Sequence, residues 1–142
     1  MLVRLRQKLF HFYFLLTRPL TLGVRAIIKN EQGQVLLVKH AYSEGWHLPG
    51  GGVQPGETCD LAMRRELAEE VGIEPISLTL AQVIQNSTVS RRDHVIIYVT
   101  DNWRQNSTHK PNPLEIDSII WFSESELPMD VAPDTAEALI RN

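Results

Sequence analysis

Three glutamates at positions 66, 69 and 70 stand three, four and one residues apart. On a helix, spacings of three and four make side chains neighbours, and like charges so placed repel by a few tenths of a kcal/mol per pair. The run ends with Gly72, so these acids fall in a last turn, where they also oppose the helix dipole. Only Arg65, one turn below Glu69, relieves them. A divalent cation would remove these costs together. The donors are all carboxylate oxygens with no histidine among them, which favours Mg²⁺ first and Mn²⁺ next over Zn²⁺. A solvated acidic face is the competing reading on spacing alone.

The segment upstream separates the two. Gly50, Gly51 and Gly52 allow a close approach of backbone to a ligand, and Gly56 allows a turn straight into the helix. This is the reverse of a phosphate-binding loop, in which a helix N-terminus and a lysine hold the phosphate. No Gly-Lys-Ser/Thr occurs in the chain, so that class is excluded by motif.

The elements that must position these residues are legible in pattern. Residues 58–71 read as a helix, with Thr58 as N-cap, Asp60 in the first turn and Gly72 as the C-terminal glycine. A helical projection places Leu61, Leu67, Ala68 and Val71 on one arc and Glu66, Glu69 and Glu70 opposite it. Val24, Ala26 and Ile28 alternate in a strand, and Val35–Val38 form an apolar run; with the turn at residues 31–34 they predict a hairpin. Residues 76–84, 94–100 and 116–122 predict further strands. Residues 124–127 predict a helical turn, and residues 134–141 a closing helix. Ahead of all this, Leu2, Leu5, Leu9, Phe12 and Leu16 form one apolar stripe on a helix that Pro19 ends, with Arg4, Arg6 and Lys8 mostly away from it. Such a helix packs on its own domain or on a second subunit, making a homodimer; a basic helix can also lie on a membrane surface.

A chain of 142 residues holds one domain of ordinary size. Its charge of −3 gives no bulk electrostatic case for nucleic acid, so no DNA partner is expected. Residues 57–70 alone carry five acids and two bases. The one cysteine, Cys59, excludes an internal disulfide and a cysteine-rich zinc site and fits a reducing compartment. No apolar run has the length of a transmembrane segment, and the first residues lack a cleavage site of the secretory kind. The expected location is cytoplasmic.

The order Gly51, Glu57, Arg65-Glu66-Leu67, Glu69-Glu70, Gly72-Ile73 resembles the Nudix box of the hydrolases acting on nucleoside diphosphates linked to another group. All nine specified positions match, which at average residue frequencies is on the order of one in a billion by chance at a given start. Trp46-His47-Leu48-Pro49-Gly50 before the box, and Trp121-Phe122 and Glu126-Leu127-Pro128 after it, are similar to the family as well. The resemblance implies an α/β fold, an α/β/α sandwich around a mixed sheet, over residues 20–142, with residues 1–19 an N-terminal helical extension outside it. It implies Mg²⁺-dependent (or Mn²⁺-dependent) hydrolysis of a pyrophosphate bond. By position, Glu66, Glu69, Glu70 and the Gly51 carbonyl would hold metal, and Arg65 would pair with Glu57 to fix the loop on the helix. Glu66 is the first choice as general base and Glu70 the next. Glu115, followed by Asp117, is the candidate carboxylate outside the box, and Glu115 would join the metal ligands.

Substrate identity is set elsewhere. Val89 and Ser90 stand where the ADP-ribose and diadenosine polyphosphate subgroups tend to carry a proline and a tyrosine. That argues for a nucleoside triphosphate or a small nucleoside diphosphate derivative. Arg25, Lys39 and Arg91 are candidate phosphate contacts, with Arg92 and His94 behind them, and Tyr42 is a candidate base-stacking group. His40, His47 and His109 have no partner arguable from sequence. A nucleotide-binding sensor without hydrolysis, or an RNA 5′-end pyrophosphohydrolase, is the alternative.

Overall fold

Strand residues of alternating orientation build two apolar cores, one on each side of a layer of sheet. The computed structural model describes residues 2–142, with side chains from Arg4 onward. Met1 and the side chain of Leu2, the first position of the expected stripe, lie outside the described residues. The order is α1 (Leu2–Thr17), β1 (Thr21–Ile28), β2 (Val35–His40), β3 (Trp46–His47), β4 (Gly50–Gly52), α2 (Cys59–Glu70), β5 (Ile73–Pro75), β6 (Thr79–Gln85), β7 (Asp93–Thr100), β8 (Trp103–Gln105), β9 (Ile116–Phe122), a 3₁₀ turn (Glu124–Glu126) and α3 (Pro133–Ile140).

Val24, Ala26 and Ile28 of β1, Leu36 and Val38 of β2, and Ile96 and Tyr98 of β7 pack with Ala62, Met63 and Leu67 of α2. The intervening residues Ile27, Val35, Leu37, Val95 and Ile97 pack on the other side with Trp46, Leu48 and Ala138 of α3. Sheet therefore lies between α2 and α3, the expected α/β/α arrangement. The four-stranded sheet β4-β1-β7-β6 is mixed, because β1 and β7 run parallel while its other pairs are antiparallel. A second sheet, β3-β2-β9, is antiparallel, and β5 pairs with β8.

The expected hairpin between the first two strands does not form. β1 takes β4 and β7 as its partners, and the segment before β2 meets β1's end only at the single bridge Lys29–Val35. Asn30 explains the break: its side chain accepts from the amides of Gln32 and Gln34, which turns the chain out of the sheet. The strand expected at residues 76–84 is β6, which begins only at Thr79, while β5 and β8, three residues each, have no counterpart among the expected strands. In α2, Thr58 caps as expected, its hydroxyl accepting from the Leu61 amide. Gly72 follows with φ +65°. The projected apolar arc is turned, however. Leu61 and Ala68 are exposed, while Met63 and Glu70 are buried.

The N-terminal helix forms, but its stripe is uncovered. Leu5, Leu9, Phe12 and Leu16 are all more than half exposed, so packing on its own domain is corrected: no described α1 side chain belongs to either core. Among the described residues, no helix is long and apolar enough to cross a membrane.

Candidate active site

The site is the seam where the glycine strand β4 crosses the C-terminal half of α2. Gly51 lies so close to the helix that a Cβ there would sit 2.4 Å from the Glu66 carboxyl carbon. Gly50 is as constrained, since φ is +147° and a Cβ would fall 2.0 Å from the Val24 carbonyl oxygen. Only glycines permit this approach. Backbone and carboxylate thus come together because both positions lack a side chain.

Arg65 ties the seam. Its Nε donates to Glu57 Oε1 at 2.8 Å and its Nη2 to Glu57 Oε2 at 3.0 Å, a two-pronged pair. Nη2 also donates to the Gly52 carbonyl at 3.0 Å, and Nη1 to Glu66 Oε1 at 2.6 Å and Glu69 Oε2 at 3.3 Å. Glu57 itself accepts from the Gln54 amide at 3.0 Å. The hydrogen bond from Arg65 holds the Glu57 carboxyl below its ordinary range. The guanidinium is held charged more firmly still by the same bond.

Glu66 is half-buried. Burial pushes its carboxyl up, against the pull of Arg65, with Glu70 and Glu69 adding to the rise. Glu69 is exposed. Glu70 is buried at 8 % exposure, and both of its oxygens are engaged: Oε1 with His40 Nε2 at 3.0 Å, and Oε2 with the Gly50 amide at 2.8 Å. Burial follows from position, because Glu70 comes seven residues after Met63 and shares its side of α2.

Glycine backbone orientation also matters. The bonds Ala26 N–Pro49 O and Val53 N–Leu22 O flank the Val24–Gly51 pair. Antiparallel phase then places Gly51 in the hydrogen-bonded pair with Val24 and leaves the Gly50 carbonyl without a β1 partner.

The other candidates divide. Tyr42 is 71 % exposed and stacks on His40 with ring centres 5.1 Å apart. Burial of its hydroxyl raises the phenol, and Glu70, Arg25, Glu115 and Glu66 are all close enough to act on it electrostatically. Those five residues therefore share one region. Arg25 donates through Nη1 to the Val24 carbonyl, and its Nε is buried with no hydrogen-bond partner. It lines a cavity of about 360 Å³ with His47, Asn86 and Thr88. Lys39 lies 3.9 Å from Asp130 and over the Trp46 ring, beside a second cavity of about 540 Å³ that His40 and Asp117 also line. Glu115 is exposed just before β9, its carbonyl accepting from the Ala41 amide. Arg91 is exposed on the turn between β6 and β7 and lines neither cavity.

The three histidines left without partners find them. His40 meets Glu70. His109 Nε2 lies 3.2 Å from the Glu70 carbonyl, and His47 Nε2 lies 2.9 Å from the Glu44 carbonyl. His40 is the residue that sequence reasoning missed. It is 30 positions from Glu70, and no local pattern links them.

Among the described residues, no three acidic, histidine or cysteine side chains converge as a ready metal cage. The seam nonetheless fits a hard cation in chemistry. Its donors are oxygens, two carboxylates crowd Glu66, and the glycine at position 51 leaves a cradle that a Cβ would fill.

A family model described as the NUDIX domain matches residues 19–141. RNA pyrophosphohydrolase of Erwinia tasmaniensis is 39% identical over 81 residues, 57% of this chain and 37% of that protein. RNA pyrophosphohydrolase of Aeromonas hydrophila subsp. hydrophila is 43% identical over 64 residues, 45% of this chain and 37% of that protein. The matched segment thus spans little more than a third of these curated relatives. Among solved structures, the MutT NUDIX hydrolase from Burkholderia pseudomallei superposes with a TM-score of 0.76 at 26% identity, over 85% of this chain and 96% of that one. The E. coli ORF135 protein gives 0.69 at 28%, over 87% and 91%.

Proposed function

The chain belongs to the NUDIX family, and from that premise we propose that it hydrolyses a pyrophosphate bond in a small nucleotide, either a nucleoside triphosphate or a nucleoside diphosphate linked to another group. The observation that carries this reading is Glu66: a half-buried carboxyl, pushed up by burial, pressed against a side-chain-free strand and steadied by Arg65. Glu66 and Glu69 would hold Mg²⁺, or Mn²⁺ in its place, with Glu70 behind them. Phase in the β1–β4 ladder favours the Gly50 carbonyl over that of Gly51 as the backbone ligand. Bound there, the ion would neutralise charge on the pyrophosphate oxygens.

The protein's own groups do the rest. Glu57 and Arg65 fix the loop to the helix, so that substrate phosphates meet backbone and carboxylates in one geometry. Glu66 takes the proton of the attacking water, a role that its place at the seam, facing the glycine strand, gives it. Oxygen of that water bonds to phosphorus as the bridging P–O bond breaks, and the bridging oxygen leaves with the second phosphorylated product. Glu70 is the weaker base, because His40 and the Gly50 amide occupy its oxygens. Glu115 is the alternative from outside the box. Arg25 and Lys39 line the two cavities, Tyr42 stacks on His40 beside the second, and these three are the proposed substrate contacts. Arg91, away from both, is the least supported. The proposed location is cytoplasmic.

The curated relatives are RNA pyrophosphohydrolases, which supports a second reading, action on the 5′ end of RNA. Against it stands the charge of the domain that holds the site, ten lysines and arginines against seventeen acids over residues 20–142, which supplies no field for an RNA backbone there. The test is phosphate release, with and without added inorganic pyrophosphatase, over nucleoside triphosphates, diphosphate conjugates and a 5′-triphosphorylated oligoribonucleotide. Turnover of small nucleotides at high kcat/KM supports the first reading; turnover of the oligoribonucleotide alone supports the second. Binding without turnover of any member would make the chain a sensor.

A further inference from the structure

The most conspicuous surface outside the site is α1. Its described side chains are exposed except Phe14, which is half-buried by Phe10 at a ring-centre distance of 4.6 Å and by the Arg18 guanidinium at 4.9 Å from its own ring. On a helical projection Arg4, Lys8 and His11 share one side with Gln7. Leu5, Leu9, Phe12 and Leu16 run along another, and Tyr13, Phe10 and Phe14 widen that apolar surface to more than half of the circumference. Beyond Pro19 it continues through exposed Leu20 into Leu22 at the start of β1.

Charge along the chain is divided at the same place. Arg4, Arg6, Lys8 and Arg18 are all cations, and residues 1–19 contain no acid. The remaining residues hold ten lysines and arginines against seventeen acids, so an N-terminal segment of +4 is joined to a domain of −7. None of Arg4, Arg6 and Lys8 has an acidic partner among the described residues. We propose that α1 lies flat on an anionic lipid surface, with its leucines and aromatic rings at the headgroup–acyl boundary and its cations among the headgroups. Two observations favour lipid over a second copy of the chain. A two-helix seam along Leu5, Leu9, Phe12 and Leu16 would leave Phe10 and Tyr13 in water, whereas a bilayer boundary covers a broad arc; Leu15 alone among the exposed leucines of α1 lies on the other side, beside Arg4 and Lys8. That seam would also offer the cations of α1 no acid on the partner helix, since residues 1–19 contain none. Arg6 falls inside the apolar arc, where its long stem can follow the rings while its head reaches the phosphates.

The test is co-sedimentation of the full chain with vesicles of phosphatidylcholine and of an equal mixture of phosphatidylcholine and phosphatidylserine, together with its mass in solution. The expected result is binding to the mixed vesicles at least about tenfold tighter than to phosphatidylcholine, weakened by salt. Arg4→Glu with Lys8→Glu should abolish the preference, and Leu9→Glu with Phe12→Glu should abolish binding. Both variants should keep the far-ultraviolet spectrum of the domain and its nucleotide turnover. Equal affinity for the two vesicles would overturn the proposal, as would a full chain that stays in the supernatant. A dimer abolished by Leu9→Glu with Phe12→Glu, without vesicle binding, would overturn it in favour of the second copy.

Discussion

Replacing Gly51 by alanine should damage the site through a single contact. The new Cβ would sit 2.4 Å from Glu66 Cδ and Oε1 and 2.7 Å from Oε2. Ordinary contact is near 3.5 Å, so the carboxylate must retreat by about 1 Å. No backbone penalty adds to this, because Gly51 is not among the positive-φ glycines. Retreat breaks or lengthens the 2.6 Å bond from Arg65 Nη1 to Glu66 Oε1, between two groups mostly shielded from water. A hydrogen bond to a charged group contributes about 1.5–3 kcal/mol. Some of this is recovered if Arg65 follows, which its two bonds to Glu57 resist. The expected loss is about 1–2 kcal/mol, or a fall in unfolding midpoint of roughly 3–8 °C for a chain of this size. Turnover should fall about a hundredfold, the usual effect of a 1 Å misplacement at a reacting centre. Urea unfolding and steady-state hydrolysis read the two effects. A double-mutant cycle with Glu66→Ala isolates the contact: the stability cost of Gly51→Ala should shrink by about 1 kcal/mol once the carboxylate is gone. Equal costs in both backgrounds would refute the contact as the cause.

Glu57→Gln should lower stability at neutral pH by removing the charge that Arg65 grips. Because the folded-state carboxyl is held below its ordinary value of 4.5, this stabilisation is present above that pH and is lost as pH falls through the lower, folded value; wild-type and variant unfolding curves should converge in acid and separate above 4.5. Convergence at neutral pH instead would contradict the ion pair. His40→Ala leaves Glu70 Oε1 buried without its partner, and urea unfolding should show a loss of about 1–3 kcal/mol. His40→Gln, able to donate at the same place, should recover part of it. Thr58→Ala removes the α2 cap and should cost about 1 kcal/mol in the same measurement.

Local patterns carried the sequence reading far in some places and failed in others for definite reasons. α2 was legible almost to the residue because capping and termination are local chemistry: Thr58 reaches the Leu61 amide, and Gly72 takes the left-handed conformation. Apolar alternation in β1, β2 and β7 likewise marked strands with two buried sides. Pairing was not legible, because β1 chooses β7, some 70 positions on, over its neighbour β2, and Asn30 turns the chain aside without disturbing the apolar pattern. In the site, the spacing of Glu66, Glu69 and Glu70 suggested three equivalent ligands, but they differ. One is half-buried, one is exposed, and one is enclosed by His40 and Gly50. Seven-residue spacing from Met63 carried a sign of that enclosure, which the opposition of acidic and apolar arcs concealed. His40 carried none, since its contact with Glu70 exists only once β2 and α2 are packed.

The decisive comparison is turnover of one nucleoside triphosphate by the wild type and by Glu66→Gln, at saturating Mg²⁺, with nucleotide binding measured on both. Glutamine keeps the size of the side chain and removes its capacity to take a proton. A loss of about 10²–10⁴ in kcat with binding retained is the predicted result. Unchanged turnover in Glu66→Gln would contradict the assignment of Glu66 as the base and, with it, the proposed mechanism.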